Sequence, residues 1–423
     1  MILHQPEIYT LAGHTTLWAR IEVSKRQGFF PEYLWYRVPE AYGDGFIARS
    51  DAFLIDLVLP AMVYGEEIRV KGAVSPQLAY QLEEYVYLLG FYFPNELRPI
   101  EVHYDLLAPP DGSPKGVAST FTGGVDSLFT VWKHLPQNQP VPEYQITHGV
   151  FIHGFDLLPS EKPLYDLLYA KFREAAGRLG IDLIPLETNA ISLIHRRLPL
   201  HIFYGPLIAA AGVALSGLLK CFYIPSSRDY PILQKDFHAS NPLMDRLLST
   251  ETLEVSNHGT AYTRMDKIAL IADWDVAQEL LWVCERRQFV GEAWNCSRCE
   301  KCFRTMIPIY ALGQMDRFRT FQKPIQSNRD GLWWARKYSS RRIYNHEILP
   351  FVREHKPGWM PWLIAARVLG TLRYGLFVRF MPGFMKKWLR RYGYFIERNE
   401  APNAYENPQI IEQIKSIHDH PPA

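Results

Sequence analysis

The sequence predicts an α/β protein: a doubly wound parallel sheet, preceded by a small α+β domain and followed by a helical module. Three observations predict it. Short apolar runs alternate with helix-length segments between residues 117 and 224, and a glycine-rich turn follows the first of these runs. The pattern also changes at a turn-rich segment near residue 113 and again near residue 316. With 423 residues, 48% of them hydrophobic, the chain exceeds what one apolar core usually organises, so more than one domain is expected.

Residues 1–112 read as the α+β domain. Strand-like alternation, as in Ile68, Arg69, Val70 and Lys71, accompanies one amphipathic helical stretch at 75–89. Residues 108–114, with Pro109, Pro110, Gly112 and Pro114, close it as a linker. Residues 113–315 then repeat strand, turn and helix. Strand 117–121 leads into helix 127–135 and strand 149–153 into helix 164–179; strand 183–186 follows, and helix 207–219 feeds strand 221–224. Helices between successive strands imply parallel neighbours, and continuous apolar runs imply a sheet covered on both faces.

Residues 316–423 have helical spacing and a basic excess through Arg336, Lys337, Arg341, Arg342, Lys386, Lys387, Arg390 and Arg391. Trp333, Trp334, Trp359, Trp362 and Trp388 interleave with these cations, and Pro357, Pro361 and Pro382 divide the stretch into short helices. Such a module suits an anionic partner, either a nucleic acid or a protein substrate, or a membrane surface. It equally suits a helical subdomain that packs tryptophan inward while arginine reaches solvent. The tail after Glu400, with Pro402, Pro408, Pro421 and Pro422, is expected to be loosely ordered.

The formal net charge of +2 makes no case by itself for nucleic acid or membrane. Arg367, Arg373 and Arg379 interrupt the most apolar stretch, so no transmembrane segment is expected. No basic segment followed by an apolar run opens the sequence, and a cytoplasmic location is expected.

Between the first strand and helix of the central region stand Thr122, Gly123, Gly124, Val125, Asp126 and Ser127. Adjacent glycines let backbone N–H groups approach an anion, and the following helix adds unpaired amides and a positive dipole end. Thr122 and Ser127 supply hydroxyls, and Asp126 is a hard oxygen ligand suited to Mg²⁺. A plain helix-capping turn accounts for the same residues. Neither the phosphate loop of the GKS/T type nor the GxGxxG loop is present.

Cys284, Cys296, Cys299 and Cys302 follow the spacing C-x11-C-x2-C-x2-C. Four thiolates suit tetrahedral Zn²⁺ in a closed structural site, clamping a strand near Cys284 to the helix after Cys302; an iron–sulfur cluster is the competing reading. Cys221, alone on an apolar strand, reads as core. Arg264 and Lys267, three apart, share one helix face, where they serve either an anion or solvent.

Strand, [ST]-G-G-x-D-S and helix together resemble the PP-loop ATP pyrophosphatases, the adenine-nucleotide α-hydrolase-like enzymes. With the cysteine pattern, residues 115–312 are similar to the 7-cyano-7-deazaguanine synthase family. The resemblance implies that ATP is split between its α and β phosphates, that a carboxylate or carbonyl oxygen is adenylated, and that a nucleophile displaces AMP. It assigns Thr122, Gly123, Gly124, Val125, Asp126 and Ser127 to the nucleotide and places Lys267 where the family carries a basic residue before the cysteines; with Arg264 as its helper on the same helix face, Asp126, Ser127, Lys267 and Arg264 form the candidate catalytic set. Segments 153–157 and 225–231 depart from the family's base-contacting stretches, which implies a divergent paralogue with its own substrate.

Ligands of open α/β sheets bind beyond the carboxyl ends of the strands. That rule makes His153, Asp156, Glu187, Ser226, Ser227, Arg228 and Asp229 candidate substrate contacts, with His258 reaching in from a loop; each equally suits a strand end, a cap or a local pair. The reading that results is an ATP-dependent, AMP-forming ligase or amidotransferase acting on a carboxylate-bearing small molecule or macromolecule. A tRNA-thiolating PP-loop enzyme and a non-catalytic, zinc-stabilised nucleotide or nucleic-acid binding module are the alternatives.

Overall fold

Among the described residues eleven strands join in one sheet in the order β11-β10-β7-β8-β9-β4-β3-β1-β5-β6, with β2 paired to β3. This computed structural model describes residues 1–24, 30–193, 198, 200–234, 237–284, 293–327, 330, 344–365, 368–369, 372 and 407–419. The N-terminal part comprises β1 (Ile2–Leu3), β2 (Glu7–Leu11), β3 (His14–Glu22), β4 (Tyr33–Pro39), α1 (Asp51–Tyr64), β5 (Ile68–Val74), α2 (Pro76–Tyr92) and β6 (Val102–Leu107). The central part continues with β7 (Gly116–Thr120), α3 (Val125–Lys133), β8 (His148–His153), α4 (Lys162–Arg178), β9 (Asp182–Thr188), α5 (Leu200–Ala214) and β10 (Leu219–Pro225). It ends with α6 (Tyr230–Leu233), β11 (Glu254–His258), α7 (Arg264–Ile271), α8 (Asp275–Leu280) and α9 (Glu300–Ala311).

The five strands β7 to β11 are parallel, as the intervening helices require. Strand residues alternate between two apolar cores. On β8, Val150 and Ile152 enter one core and Phe151 the other; on β9, Ile184 and Leu186 oppose Leu183. Side chains of α1, α2 and α5 fill the first core, and those of α3, α4, α7 and α9 fill the second. Both faces are therefore covered, and the fold is α/β with a mostly parallel sheet.

Residue 113 lies in the connection between β6, at one end of the sheet, and β7, near the other. Sheet and core run across that point. β4 pairs antiparallel with β9, placing Tyr36 opposite Thr188, and Leu3, Leu54 and Ala118 share the first core.

The tail departs from expectation. Residues Pro408–Asp419 form a helix whose Ile410 and Ile414 are fully buried against Tyr9, Trp18, Tyr33 and Trp35. An i, i+4 isoleucine pair supplies the apolar stripe, and a proline at the first position suits a helix start. Trp359 is also buried, its ring 5.0 Å from that of Tyr310 on α9, whereas Trp362 is 41% exposed. Trp333, Trp334 and Trp388 lie outside the described residues, as do Arg336, Lys337, Arg341, Arg342, Lys386, Lys387, Arg390 and Arg391. Among the described residues no helix is long and apolar enough to cross a membrane.

Candidate functional site

β7 and β10 are neighbours, yet the chain leaves them in opposite directions: β7 is followed by β8 on one side and β10 by β11 on the other. Such a reversal opens a crevice beyond the carboxyl ends of both strands. The glycine-rich loop leaves β7 there, and Ser226 leaves β10.

Gly123 adopts φ +74°, and a Cβ on it would lie 2.7 Å from the Leu280 carbonyl oxygen and 2.8 Å from the Phe172 ring. Only glycine suits this turn. Gly124 is the extended N-cap of α3, and buried Val125 anchors the first helical position. Among the described residues no N-cap side chain bonds the start of α3, so its first-turn amides and positive dipole end are available to an anion. Ser127 Oγ donates to the Thr120 carbonyl at 2.6 Å and accepts from the Thr122 N–H at 3.0 Å. That hydroxyl braces the loop from within.

α7 brings two cations to the loop. Its start is set by a capping box between Thr263 and Asp266. Lys267 Nζ donates to Asp126 Oδ1 at 3.1 Å and to the Ser226 carbonyl, while Arg264 Nη1 donates to Asp126 Oδ2 at 2.9 Å. The Lys267 side chain is 1% exposed and that of Asp126 19%. Burial pushes the Asp126 carboxyl up, but Lys267 and Arg264 outweigh it and hold the group below the usual carboxylate range. Two cations face one carboxylate, which leaves surplus positive charge beside the first turn of α3. Beneath Lys267, the His258 ring stacks on Phe129 and its Nδ1 lies 3.1 Å from Thr130 Oγ1. Burial, with His134 and Lys267 nearby, lowers His258 to about 3, so that ring is neutral.

The remaining candidates have local partners. His153 is 2% exposed and donates from Nε2 to the Leu158 carbonyl at 2.7 Å, and Glu187 lies 4.0 Å from its Nδ1. Asp156 accepts from the Tyr204 hydroxyl at 2.6 Å. Arg228 Nε contacts His238 Nε2 at 3.5 Å, and Asp229 caps α6 by accepting from the Ile232 N–H at 2.8 Å. From the β10 end, Ser226, one of the strand-end candidates, joins the Asp126 cluster, but through its backbone carbonyl, which accepts from Lys267 Nζ, rather than through its side chain. Arg304 was also missed. Its guanidinium helps lower Asp126 and forms a two-pronged ion pair with Glu347. Its position two residues after Cys302 was the one available hint.

The Sγ atoms of Cys284, Cys296, Cys299 and Cys302 all lie within 4.8 Å of one another, with Cys296 to Cys302 at 4.0 Å and Cys299 to Cys302 at 3.3 Å. Tetrahedral zinc–sulfur bonds place sulfurs about 3.8 Å apart, so the four could hold a metal such as zinc. Hydrogen bonding with Cys284 raises the thiols of Cys299 and Cys302, a penalty that a bound cation reverses. Cys284 follows α8 in an irregular segment rather than ending a strand. Buried Asn295 holds that segment by accepting from the Val283 N–H at 2.8 Å and donating to the Leu281 carbonyl at 2.7 Å. One residue earlier, the Trp282 N–H donates to the Gly123 carbonyl at 2.8 Å, so the cysteine segment and the glycine loop are bonded together. Cys221 is buried on β10, and burial pushes its thiol up to about 12, as suits a core residue.

Fold and site define an α/β protein in which Asp126, Lys267 and Arg264 meet at a sheet reversal, bonded to the segment that carries a four-cysteine cluster. No protein-family model, curated protein or solved structure matches this chain.

Proposed function

We propose that the chain is an ATP-dependent, AMP-forming ligase or amidotransferase of the adenine-nucleotide α-hydrolase-like type, resembling the 7-cyano-7-deazaguanine synthase family. One observation carries this reading: Asp126, in the uncapped first turn of α3, is held between Lys267 and Arg264 at the β7–β10 reversal. Backbone amides of an uncapped helix start favour phosphate oxygens, and the two cations offset charge that grows on a departing pyrophosphate. Asp126 is the residue to hold Mg²⁺, which would neutralise polyphosphate charge. A substrate carboxylate oxygen attacks the α-phosphorus, the bond to the bridging oxygen of the β-phosphate breaks, and pyrophosphate leaves. A nucleophile such as ammonia then attacks the acyl adenylate and releases AMP. Zinc in the closed four-sulfur site holds the loop's support and performs no chemistry. A carboxylate on a small molecule or a macromolecule is the substrate class, and the cytoplasm is the proposed location.

The test is AMP release from ATP labelled at the α-phosphate, with Mg²⁺, ammonia and a carboxylate panel that includes 7-carboxy-7-deazaguanine. Carboxylate-dependent AMP that disappears in Asp126→Asn supports the ligase. Nucleotide binding without AMP under every carboxylate would instead favour the zinc-stabilised binding module.

A further inference from the structure

Arg304 stands two residues beyond Cys302 on α9, whose start is capped by Cys299. α9 packs against α7, the helix that carries Arg264 and Lys267, and against the π-helical turn Tyr344–Ile348. From that turn Glu347 grips Arg304. Nε donates to Oε2 at 3.2 Å, and Nη2 donates to Oε1 at 2.8 Å and to Oε2 at 2.6 Å. The Glu347 side chain is 2% exposed and that of Arg304 14%.

This grip uses one edge of a planar group with five donors. Among the described residues nothing pairs with the other edge, Nη1, and Arg264 Nε is likewise buried without a partner. Arg304 acts electrostatically on both Asp126 and Arg264, so its charge belongs to the same neighbourhood. Counting charges there, Arg264, Lys267 and Arg304 face Asp126 and Glu347, a surplus of cation with donors still unused. A guanidinium locked on one edge is preorganised to meet an anion with the other, and planar donor pairs suit phosphate oxygens.

We propose that Arg304 is a third polyphosphate-binding residue of the crevice, and that Glu347 is the positioning residue that aims its free Nη1 edge. The proposal rests on the reading of the crevice as an ATP site, and it commits Arg304 to the pyrophosphate portion rather than to the nucleoside.

Calorimetric titration of the full chain with ATP, inorganic pyrophosphate and AMP tests it, using Arg304→Gln, Arg304→Lys and Glu347→Gln. Arg304→Gln is expected to weaken ATP and pyrophosphate about tenfold or more, as loss of a charge-assisted contact does, while AMP affinity stays unchanged. Arg304→Lys recovers part of the loss, and Glu347→Gln shows a smaller loss with the same split between pyrophosphate-bearing ligands and AMP. Glu347→Gln adds no further loss to Arg304→Gln. Unchanged pyrophosphate affinity in Arg304→Gln, or an equal loss for all three ligands together with lower thermal stability, overturns the proposal and leaves Arg304 a strut for the C-terminal segment. A wild-type protein that binds neither ATP nor pyrophosphate overturns both this proposal and the ATP reading. Pyrophosphate binding that depends on Arg304 without any AMP formation overturns only the ligase.

Discussion

Lys267 reaches Asp126 from a helix 141 residues further along the chain, with Nζ 3.1 Å from Oδ1 and its side chain almost wholly enclosed. Removing the carboxylate leaves that ammonium with the Ser226 carbonyl for company. Stripping one partner from a buried ion pair costs about 3–5 kcal/mol. Asp126→Ala should therefore lose stability in that range in denaturant titrations, and Asp126→Asn, which keeps an acceptor, should lose less. A change near zero for Asp126→Ala would mean that water already solvates Lys267.

Adjacent glycines of the loop should respond differently. Gly123→Ala places a Cβ against the Leu280 carbonyl in a left-handed conformation, whereas a Cβ on Gly124 meets only Thr122 Oγ1 at an ordinary 3.5 Å. The left-handed backbone alone costs about 1–2 kcal/mol. Gly123→Ala should lower the melting temperature distinctly and Gly124→Ala hardly at all. Equal effects would argue against the turn geometry.

Elemental analysis should find one zinc per chain, lost in Cys302→Ser. Metal bound by the folded chain stabilises it, so a strong chelator should lower the melting temperature. Because the Trp282 N–H bonds the Gly123 carbonyl, nucleotide affinity should fall in the same step. Iron and sulfide with a visible absorption band would replace zinc by an iron–sulfur cluster.

Asp245 supplies a pH test away from the crevice. Burial raises its carboxyl to about 7, even though Ser240 and Asn257 donate to it. The folded state thus holds a proton that the unfolded chain has already released above about pH 4. Stability from this group is complete below that value and is lost as pH rises towards and through 7. Asp245→Asn should remove this slope, so its melting temperature relative to wild type should improve between pH 5 and pH 8. A constant difference across that window would show that Asp245 does not titrate there.

Ile414→Asp should detach the C-terminal helix by placing a charge among Tyr9, Trp18, Tyr33 and Trp35. Trp18 should become more exposed, seen as red-shifted fluorescence and faster proteolysis near residue 407. Nucleotide binding should persist, since no residue of that apolar cluster belongs to the Asp126 site. Parallel loss of nucleotide binding would tie the helix to the crevice instead.

The strand and helix pattern of the central region was legible because apolar periodicity reports burial directly. Predicted strand 149–153 and helix 164–179 correspond to β8 and α4 within a residue or two. The glycine loop and the cysteine spacing were legible for a different reason: both depend on residues close in sequence, whose chemistry needs particular backbone freedom or ligand types. Arg264 and Lys267 were found as a helix-face pair, but not their partner.

Sequence alone determined the α/β class, the glycine turn after β7 and a cysteine set able to hold a metal. Tertiary structure decided that β4 pairs with β9, carrying one sheet across residue 113, and that the tail helix covers Trp18. It also decided that Asp126 meets Lys267 and that Arg304 meets Glu347. These partners stand from 43 positions apart, for Arg304 and Glu347, to 400, for Trp18 and His418. Local periodicity carries no information about such partners, which are selected by how the helices pack on the two faces of the sheet.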